Sequence, residues 1–409
     1  MGIQLLLLPV FKLAFLFKII VITQKSKYSL RELTLYFLRL GSIGFGEPVA
    51  LVGYMHQDLV EYRKWISEEE YKEGLALAQL APGPLAAQLG IYIGYVHYSF
   101  LGATLAGFAF VLPSFLMVLA LGIVYQLYGG LFWIQSVFYG VGAGVIGIIT
   151  LSAYRLTIKS IGKFSLESLK EKWLLWLFFI ILLAVTYVTE REQILVFIAA
   201  GLIYMLIKAR PMAKISKTAN ISIVFLSGIW DFENGTLLKI FIFFAKAGAF
   251  VFGSGLAIVP FLHSVVVVEN EWLTEQQFLD SVAVAMITPG PVVITVGFIG
   301  YLVDGVAGAI AAAMATFLPC YLFTISLAPF FKRIVHNKSV KAFVEGITAA
   351  VLGALVGSVI VIAKRSIIDV PTALIAFFVI LSLLYIKKIQ EPVIIAIAAV
   401  VGVMIKFIF

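Results

Sequence analysis

Only one cysteine, Cys320, occurs in the 409 residues. That excludes an intrachain disulfide and any cysteine-cluster metal site. Charge is almost as scarce: Asp, Glu, Lys and Arg make up 13% of the chain, against 62% hydrophobic residues. A soluble domain is about 25% charged and about half apolar, so a water-soluble globule is excluded. A Walker loop, an HExxH helix and any His/Asp spacing suited to a metal are missing too. Ser114 and Ser254 have no companion base at a readable spacing. An enzyme is therefore not expected, nor a cofactor, and transport without an ATP site is either passive or coupled to an ion gradient.

The ~10-residue alternating segments of a membrane β-barrel are also absent. Present instead are long apolar runs of the roughly 20 residues that a helix needs to cross hydrocarbon. They predict an all-α polytopic membrane protein with about 10–13 membrane segments. The net charge of +8 sits in short loops such as Lys159 to Lys172, where basic residues record cytoplasmic sidedness rather than a nucleic-acid partner. The N-terminal stretch "MGIQLLLLPVFKLAFLFKII", with Lys12 and Lys18 inside it, lacks a cleavage site. Residues 1–28 read as either an extra span or an interfacial amphipathic helix.

The chain repeats itself. Residues 37–90 align with 244–297 at an offset of 207, through Phe37/Phe244, Gly41/Gly248, Gly46/Gly253, His56/His263, Trp65/Trp272 and Glu68/Glu275. Pro82-Gly83-Pro84 falls on Pro289-Gly290-Pro291. After a one-residue deletion the offset is 206, through Gly94/Gly300, Gly102/Gly308, Pro113/Pro319, Gly140/Gly346 and Gly147/Gly353. Hydrophobicity alone aligns Leu with Ile anywhere but does not place Gly, Pro, His and Trp in register, so the chain is a duplication. The expected division is a first repeat over 29–207, a basic polar linker over 208–236 and a second repeat over 237–409. Each repeat carries capping boxes (Ser29/Glu32, Ser67/Glu70 and Thr274/Gln277), a glycine break, the Pro-Gly-Pro segment, and a long span expected to break at Pro113 or Pro319.

Equivalent loops differ in charge. Loop 126–134 has no Lys or Arg, whereas its counterpart holds Lys332, Arg333, Lys338 and Lys341. Connector 54–73 carries Arg63, Lys64 and Lys72, whereas 260–280 carries none. Opposite basic content implies opposite sides of the membrane, the pattern of inverted-topology repeats with a midplane site between them. Consistent parity requires one of the first three apolar segments in each repeat to enter without crossing, and the Pro-Gly-Pro segment is the expected re-entrant one.

Interrupted helices survive in a bilayer only against protein or a watery cavity. A break exposes the free N–H groups of the second half-helix and the positive end of its dipole, which bind anions. Proline suits the first helical turn, so the two Pro-Gly-Pro elbows read as paired anion cradles. A tight membrane turn with no ligand is the plainer reading.

The set "FLRLGSIGFGEPVAL", "VEYRKWISEEEY", "LAQLAPGPLAAQLGIYIGY" and "FVLPSF", with its weaker second copy, resembles the chromate ion transporter family over most of residues 29–365. The resemblance implies two homologous halves of opposite orientation. It also implies movement of an oxyanion, chromate or its analogue sulfate, across the cytoplasmic membrane of a prokaryote. Two places depart from the family's pattern: Glu47 stands where the glycine break usually reads "FGGP", and Leu85, Ala86 and Ala87 occupy positions that are commonly polar.

Substrate-binding residues are expected at Arg39, Gly44, Phe45, Gly46, Pro82, Gly83, Pro84, Gln88, Lys246, Gly253, Ser254, Gly255, Pro289, Gly290, Pro291 and Thr295. Arg39 and Lys246 are equivalent cations within spans, which either attract a dianion or snorkel to the interface. Gln88 and Thr295 could bond an oxyanion or a neighbouring helix. Proton-coupling candidates are Glu47, His56 and His263; capping by Glu47 and an interfacial structural role for the histidines are the alternatives. The expected function is secondary active transport of a small oxyanion, chromate efflux first and sulfate close behind. The rivals are an uncoupled anion channel, a transporter of another small anion, and an intramembrane enzyme or lipid flippase. The partners expected are the oxyanion, a coupling proton, the lipid bilayer and a second copy in a homodimer.

Overall fold

The computed structural model describes residues 28–45, 48–191, 194–209, 235–250, 255, 258–331, 335, 337–386 and 390–408. The expected N-terminal segment (up to residue 27), Gly46, Glu47, Gly253, Ser254 and most of the linker lie outside them. Every element among the described residues is helical.

The first repeat opens with α1 (Leu30–Ile43), held by the reciprocal Ser29/Glu32 capping box and stopped at Gly44. Next comes α2 (Pro48–Met55), continued by a π-helical stretch, His56–Tyr62. Tyr28 stacks on Trp65 with ring centroids 4.5 Å apart, so the chain returns to the end where α1 began. Helix α3 (Glu68–Leu80) and helix α4 (Leu85–Tyr128) are joined by the first Pro-Gly-Pro elbow. Ser67 caps α3 through the amide of Glu70. The expected reciprocal half of that box is replaced, because the Glu70 carboxylate pairs with His97 at 2.9 Å.

The expected break at Pro113 does not occur, and α4 runs helically through it. The neighbouring Ser114 hydroxyl donates to the Val111 carbonyl. The chain turns instead at Tyr98–Ser99, where Ser99 adopts φ 56°. A Cβ at Gly94 would lie 2.3 Å from the Gly102 carbonyl oxygen, and one at Gly107 would lie 2.9 Å from Ile91. The two arms, α4a (85–97) and α4b (100–128), therefore pack antiparallel. Gly74 of α3 faces the ring of Tyr92 on α4a, so α3 and α4a also fold back on each other, with the elbow level with the middle of α4b.

After α4b the chain reverses into α5 (Phe132–Ser160), a short surface helix α6 (Leu166–Glu171), α7 (Trp173–Thr189) and α8 (Ile194–Ala209). The second repeat follows the same plan: α9 (Thr236–Ala249), α10 (Ile258–His263) with a π-helical stretch Ser264–Glu269, α11 (Glu275–Ile287), the second elbow, and α12 (Thr295–Leu327). Helix α12 runs through Pro319 and turns at Asp304–Gly305, where Gly305 has φ 58°. Gly300 meets Gly308 as Gly94 meets Gly102. Helices α13 (Lys338–Ser366), α14 (Val370–Tyr385) and α15 (Glu391–Ile408) complete the chain.

Five helical segments among the described residues are long and apolar enough to cross a membrane: Leu85–Tyr128, Phe132–Ser160, Val292–Phe330, Lys338–Ser366 and Glu391–Ile408. Shorter apolar helices and half-helices make up the rest.

The repeats open at opposite ends of the bundle. In the first, Tyr28, Trp65 and the Glu70–His97 pair mark one end. In the second, Glu275 meets His263 at 2.8 Å and Arg365 at 3.6 Å, and Arg365 also pairs with Glu190 at the far end of α7. The repeats also exchange partners. Helix α5 packs on α14 and α15 of the second repeat, where a Cβ at Gly140 would lie 2.0 Å from the Ala398 carbonyl oxygen. Helix α13 packs reciprocally on α7 and α8, where a Cβ at Gly353 would lie 2.2 Å from the Phe179 carbonyl oxygen. Small residues that let backbones touch are the usual basis of helix association where burial of apolar surface drives little.

Candidate functional site

The two elbows meet. Gly83 and Gly290 take φ of +142° and +102°, a region open to glycine, and this reverses the chain between half-helices. Pro84 is the N-cap of α4 and Pro291 that of the single 3₁₀ turn Val292–Ile294. Gly44, at the break after α1, accepts a 2.8 Å hydrogen bond on its carbonyl from the Gly290 amide. A Cβ at Gly290 would lie 2.6 Å from Oγ of Ser114, and one at Gly83 would lie 2.9 Å from Sγ of Cys320. Ser114 and Cys320 are equivalent in the two repeats, so each elbow presses on the proline-containing helix of the other. Leu51, Pro84, Ala86, Gly255, Pro291, Val292 and Val293 enclose a cavity of ≈ 10 Å³ between the elbows. A gap of that size holds at most a single water.

The sequence-predicted residues divide around this point. Gln88 is wholly buried and spends its amide nitrogen on the Pro82 carbonyl at 2.8 Å, bracing the elbow from within. Thr295 donates to Val292 at 2.7 Å, one turn back. Both therefore bond their own backbone. Pro289 belongs to the second elbow with Gly290 and Pro291. Arg39 is not at the elbows: with Gly44 and Phe45 it lines a 460 Å³ cavity that reaches Asp58, Arg63 and Gln390. Lys246 lines the equivalent 350 Å³ cavity of the second repeat, with Arg191, Glu269 and Trp272, at the other end of the molecule.

His56 and His263 sit at the mouths of their repeats, where the π-helical stretches begin, and each meets an acid twelve residues on. The His56–Glu68 distance is 2.7 Å and the His263–Glu275 distance 2.8 Å. The hydrogen bond from His56, helped by Lys72, holds the Glu68 carboxyl below the usual carboxylate range. Arg63, Trp65 and Tyr36 form an aromatic–cation cluster, with the guanidinium 4.8 Å from the Trp65 ring and 5.5 Å from that of Tyr36.

Sequence reasoning passed over Asp280. It lies on α11, two turns before the second elbow, and is 2% exposed. Tyr125 of α4b donates to it at 2.6 Å and Gln276 at 2.8 Å. A signal was available: Glu73 is the equivalent residue 207 positions earlier, so both segments leading into an elbow carry an acid. Asp280 faces a 390 Å³ cavity with Tyr139, Gln135 and Lys406.

No solved structure matches the chain. The family model for chromate transporters matches residues 31–205 and 238–403. A chromate transport protein of Cupriavidus metallidurans is 60% identical over 380 residues, covering 92% of this chain and 93% of that protein. A probable chromate transport protein of Synechococcus elongatus is 55% identical over 383 residues, with 92% and 95% covered. A chromate transport protein of Pseudomonas aeruginosa is 29% identical over 349 residues, with 82% of each covered. With the family model matched in both halves and close relatives aligned along nearly all of its length, the chain belongs to the chromate transporter family, a family of multi-pass membrane proteins.

Proposed function

We propose that the protein moves a small oxyanion across the plasma membrane, chromate first and sulfate close behind, by alternating access between two inverted repeats. The observation that carries this reading is the meeting of the two Pro-Gly-Pro elbows across a ≈ 10 Å³ gap. Half-helices α4a and α12a (295–303) begin at these elbows, and their first-turn amides have no partner within the helix. A tetrahedral dianion held by backbone amides is recognised by charge and size, and chromate and sulfate share both.

The elbows are packed too tightly for an oxyanion, so passage requires them to part. Each repeat offers one approach: Arg39 in the 460 Å³ cavity at one end and Lys246 in the 350 Å³ cavity at the other. Back-folding of α3 on α4a, and of α11 on α12a, corresponds to re-entrant segments opening to opposite faces. The helix ends on the side of the first repeat's mouth carry Arg63, Lys64, Lys72, Lys159, Lys163, Lys338 and Lys341, against Arg191, Lys239, Lys364 and Arg365 at the other mouth, and the positive-inside rule assigns the more basic side to the cytoplasm. An inside-negative potential then favours export of a dianion, at about 2.3 kcal/mol per charge per 100 mV. Proton coupling would add to this drive.

The test is tracer counterflow in proteoliposomes. Liposomes loaded with unlabelled chromate take up labelled chromate above its equilibrium level if the protein is a carrier. Arg39→Ala raises the half-saturating chromate concentration about tenfold, equivalent to about 1.4 kcal/mol, and Arg39→Lys restores it. A voltage-following current with no overshoot would mean an anion channel and overturn the reading.

A further inference from the structure

Asp280 combines three properties that no other acid among the described residues combines. It is almost completely buried at 2% exposure. Its two carboxyl oxygens meet only neutral hydrogen-bonding groups, Tyr125 at 2.6 Å and Gln276 at 2.8 Å, and no cation lies within 4 Å of it among the described residues. It also joins the repeats, since Tyr125 belongs to α4b of the first and Asp280 to the half-helix that leads into the second elbow.

A buried carboxylate without a cation is strongly disfavoured, so the group takes a proton instead. The titratable groups facing it from the elements packed around it are Tyr125 on α4b, Tyr139 on α5 and Lys406 on α15, across the 390 Å³ cavity. Tyr139 is itself committed to Asp369 at 2.6 Å, and the Lys406 amine lies 4.5 Å from the Tyr139 ring centre. On its own helix, Glu275 points away to His263 and Arg365. A parting of the elbow that moved α11 against α4b would break the Tyr125–Asp280 bond and open the carboxyl to the cavity and its proton supply.

We propose that Asp280 is the proton-carrying group of the transport cycle. With the elbows closed it is neutral, its proton on Oδ2 and shared with the Tyr125 oxygen across the 2.6 Å contact; when α11 swings away it releases that proton into the cavity and becomes a carboxylate. This rests on the carrier reading above and adds the coupling ion and the residue that holds it.

The test uses full-length protein in liposomes, with chromate as substrate, the membrane potential clamped at zero and a pH-sensitive dye inside. Wild type is expected to show counterflow overshoot, chromate-dependent proton movement, and accumulation driven by a pH gradient. Asp280→Asn keeps a neutral group that hydrogen-bonds to Tyr125 and Gln276. It is expected to retain the overshoot while losing proton movement, with gradient-driven accumulation falling to the equilibrium level. Tyr125→Phe is expected to keep both activities while shifting their pH dependence. Asp280→Asn that still moves protons with chromate, or that loses counterflow as well, overturns the assignment. Absence of overshoot in the wild type would instead overturn the carrier reading, so the two failures are distinct.

Discussion

Gly290 shows how much a single residue decides. Its φ of +102° is closed to side chains, and the space where a Cβ would go is taken by Oγ of Ser114 at 2.6 Å and its Cβ at 2.7 Å. Backbone strain of this kind costs about 1–3 kcal/mol. The clash adds to it, because Ser114 sits on a helix that cannot retreat without moving the first repeat. Gly290→Ala is therefore expected to pry the second elbow from Gly44 and Ser114. The measurement is thermal unfolding in detergent together with counterflow: a lowered midpoint and at least a several-fold slower exchange are expected, and wild-type values for both would mean that elbow contact has no role. The same scale explains why Gln88 and Thr295 read ambiguously in the sequence. A polar side chain beside a helix break can serve a ligand or its own backbone, and the choice depends on rotamer and neighbours. Here the Pro82 carbonyl takes the Gln88 amide and the Val292 carbonyl takes the Thr295 hydroxyl.

Helices meet by their glycines. Gly41 against Phe110 repeats as Gly248 against Thr316, and Gly140 against α15 has its counterpart in Gly346 against α8. Glycine pairs matched in the sequence thus mark mirrored helix crossings, which is why the duplication was legible from them. What the pairs did not disclose is which helix each one touches. Gly346→Ala forces the α13 backbone off α8, where the Ala200 carbonyl would be 2.8 Å away, and Gly140→Ala does the same to α5 and α15. Overpacking of a tight core costs about 1–3 kcal/mol. Each variant is expected to unfold at a lower temperature in detergent, and the two drops should be similar because the crossings are equivalent. A drop in only one would mean that the exchanged packing is not symmetric. Pro113 and Pro319 behave differently: proline was expected to break its span, yet the turn falls at Ser99 and Gly305, which take φ of 56° and 58°.

At the scale of the whole molecule, the two mouths face opposite ends, and the larger share of the basic residues lies at the first. Tyr62, 77% exposed beside the first mouth, and Asn270, exposed beside the second, report the two faces. The sole cysteine is buried, so single Cys substitutions at these positions label without background. In intact cells, an impermeant maleimide is expected to reach Asn270→Cys directly and Tyr62→Cys only after permeabilisation. Labelling of both from outside would contradict repeats that open to opposite faces.

Composition determined that this chain lives in a membrane, since so little charge leaves no other solvent for it. Register determined that it is two copies of one unit, because glycine, proline, histidine and tryptophan recur only where the backbone or an interface demands them. The loop charges pointed to opposite orientation through their bias alone. Only the tertiary structure decided that the elbows touch across the repeats, that α5 and α13 exchange partners, and that Asp280 is sealed beneath Tyr125. Each of these is a contact between residues roughly 150 or more positions apart, and local propensity and periodicity carry no information about such pairs: hydrophobic helices are alike on all faces, and which faces meet is settled by shape once all of them are present.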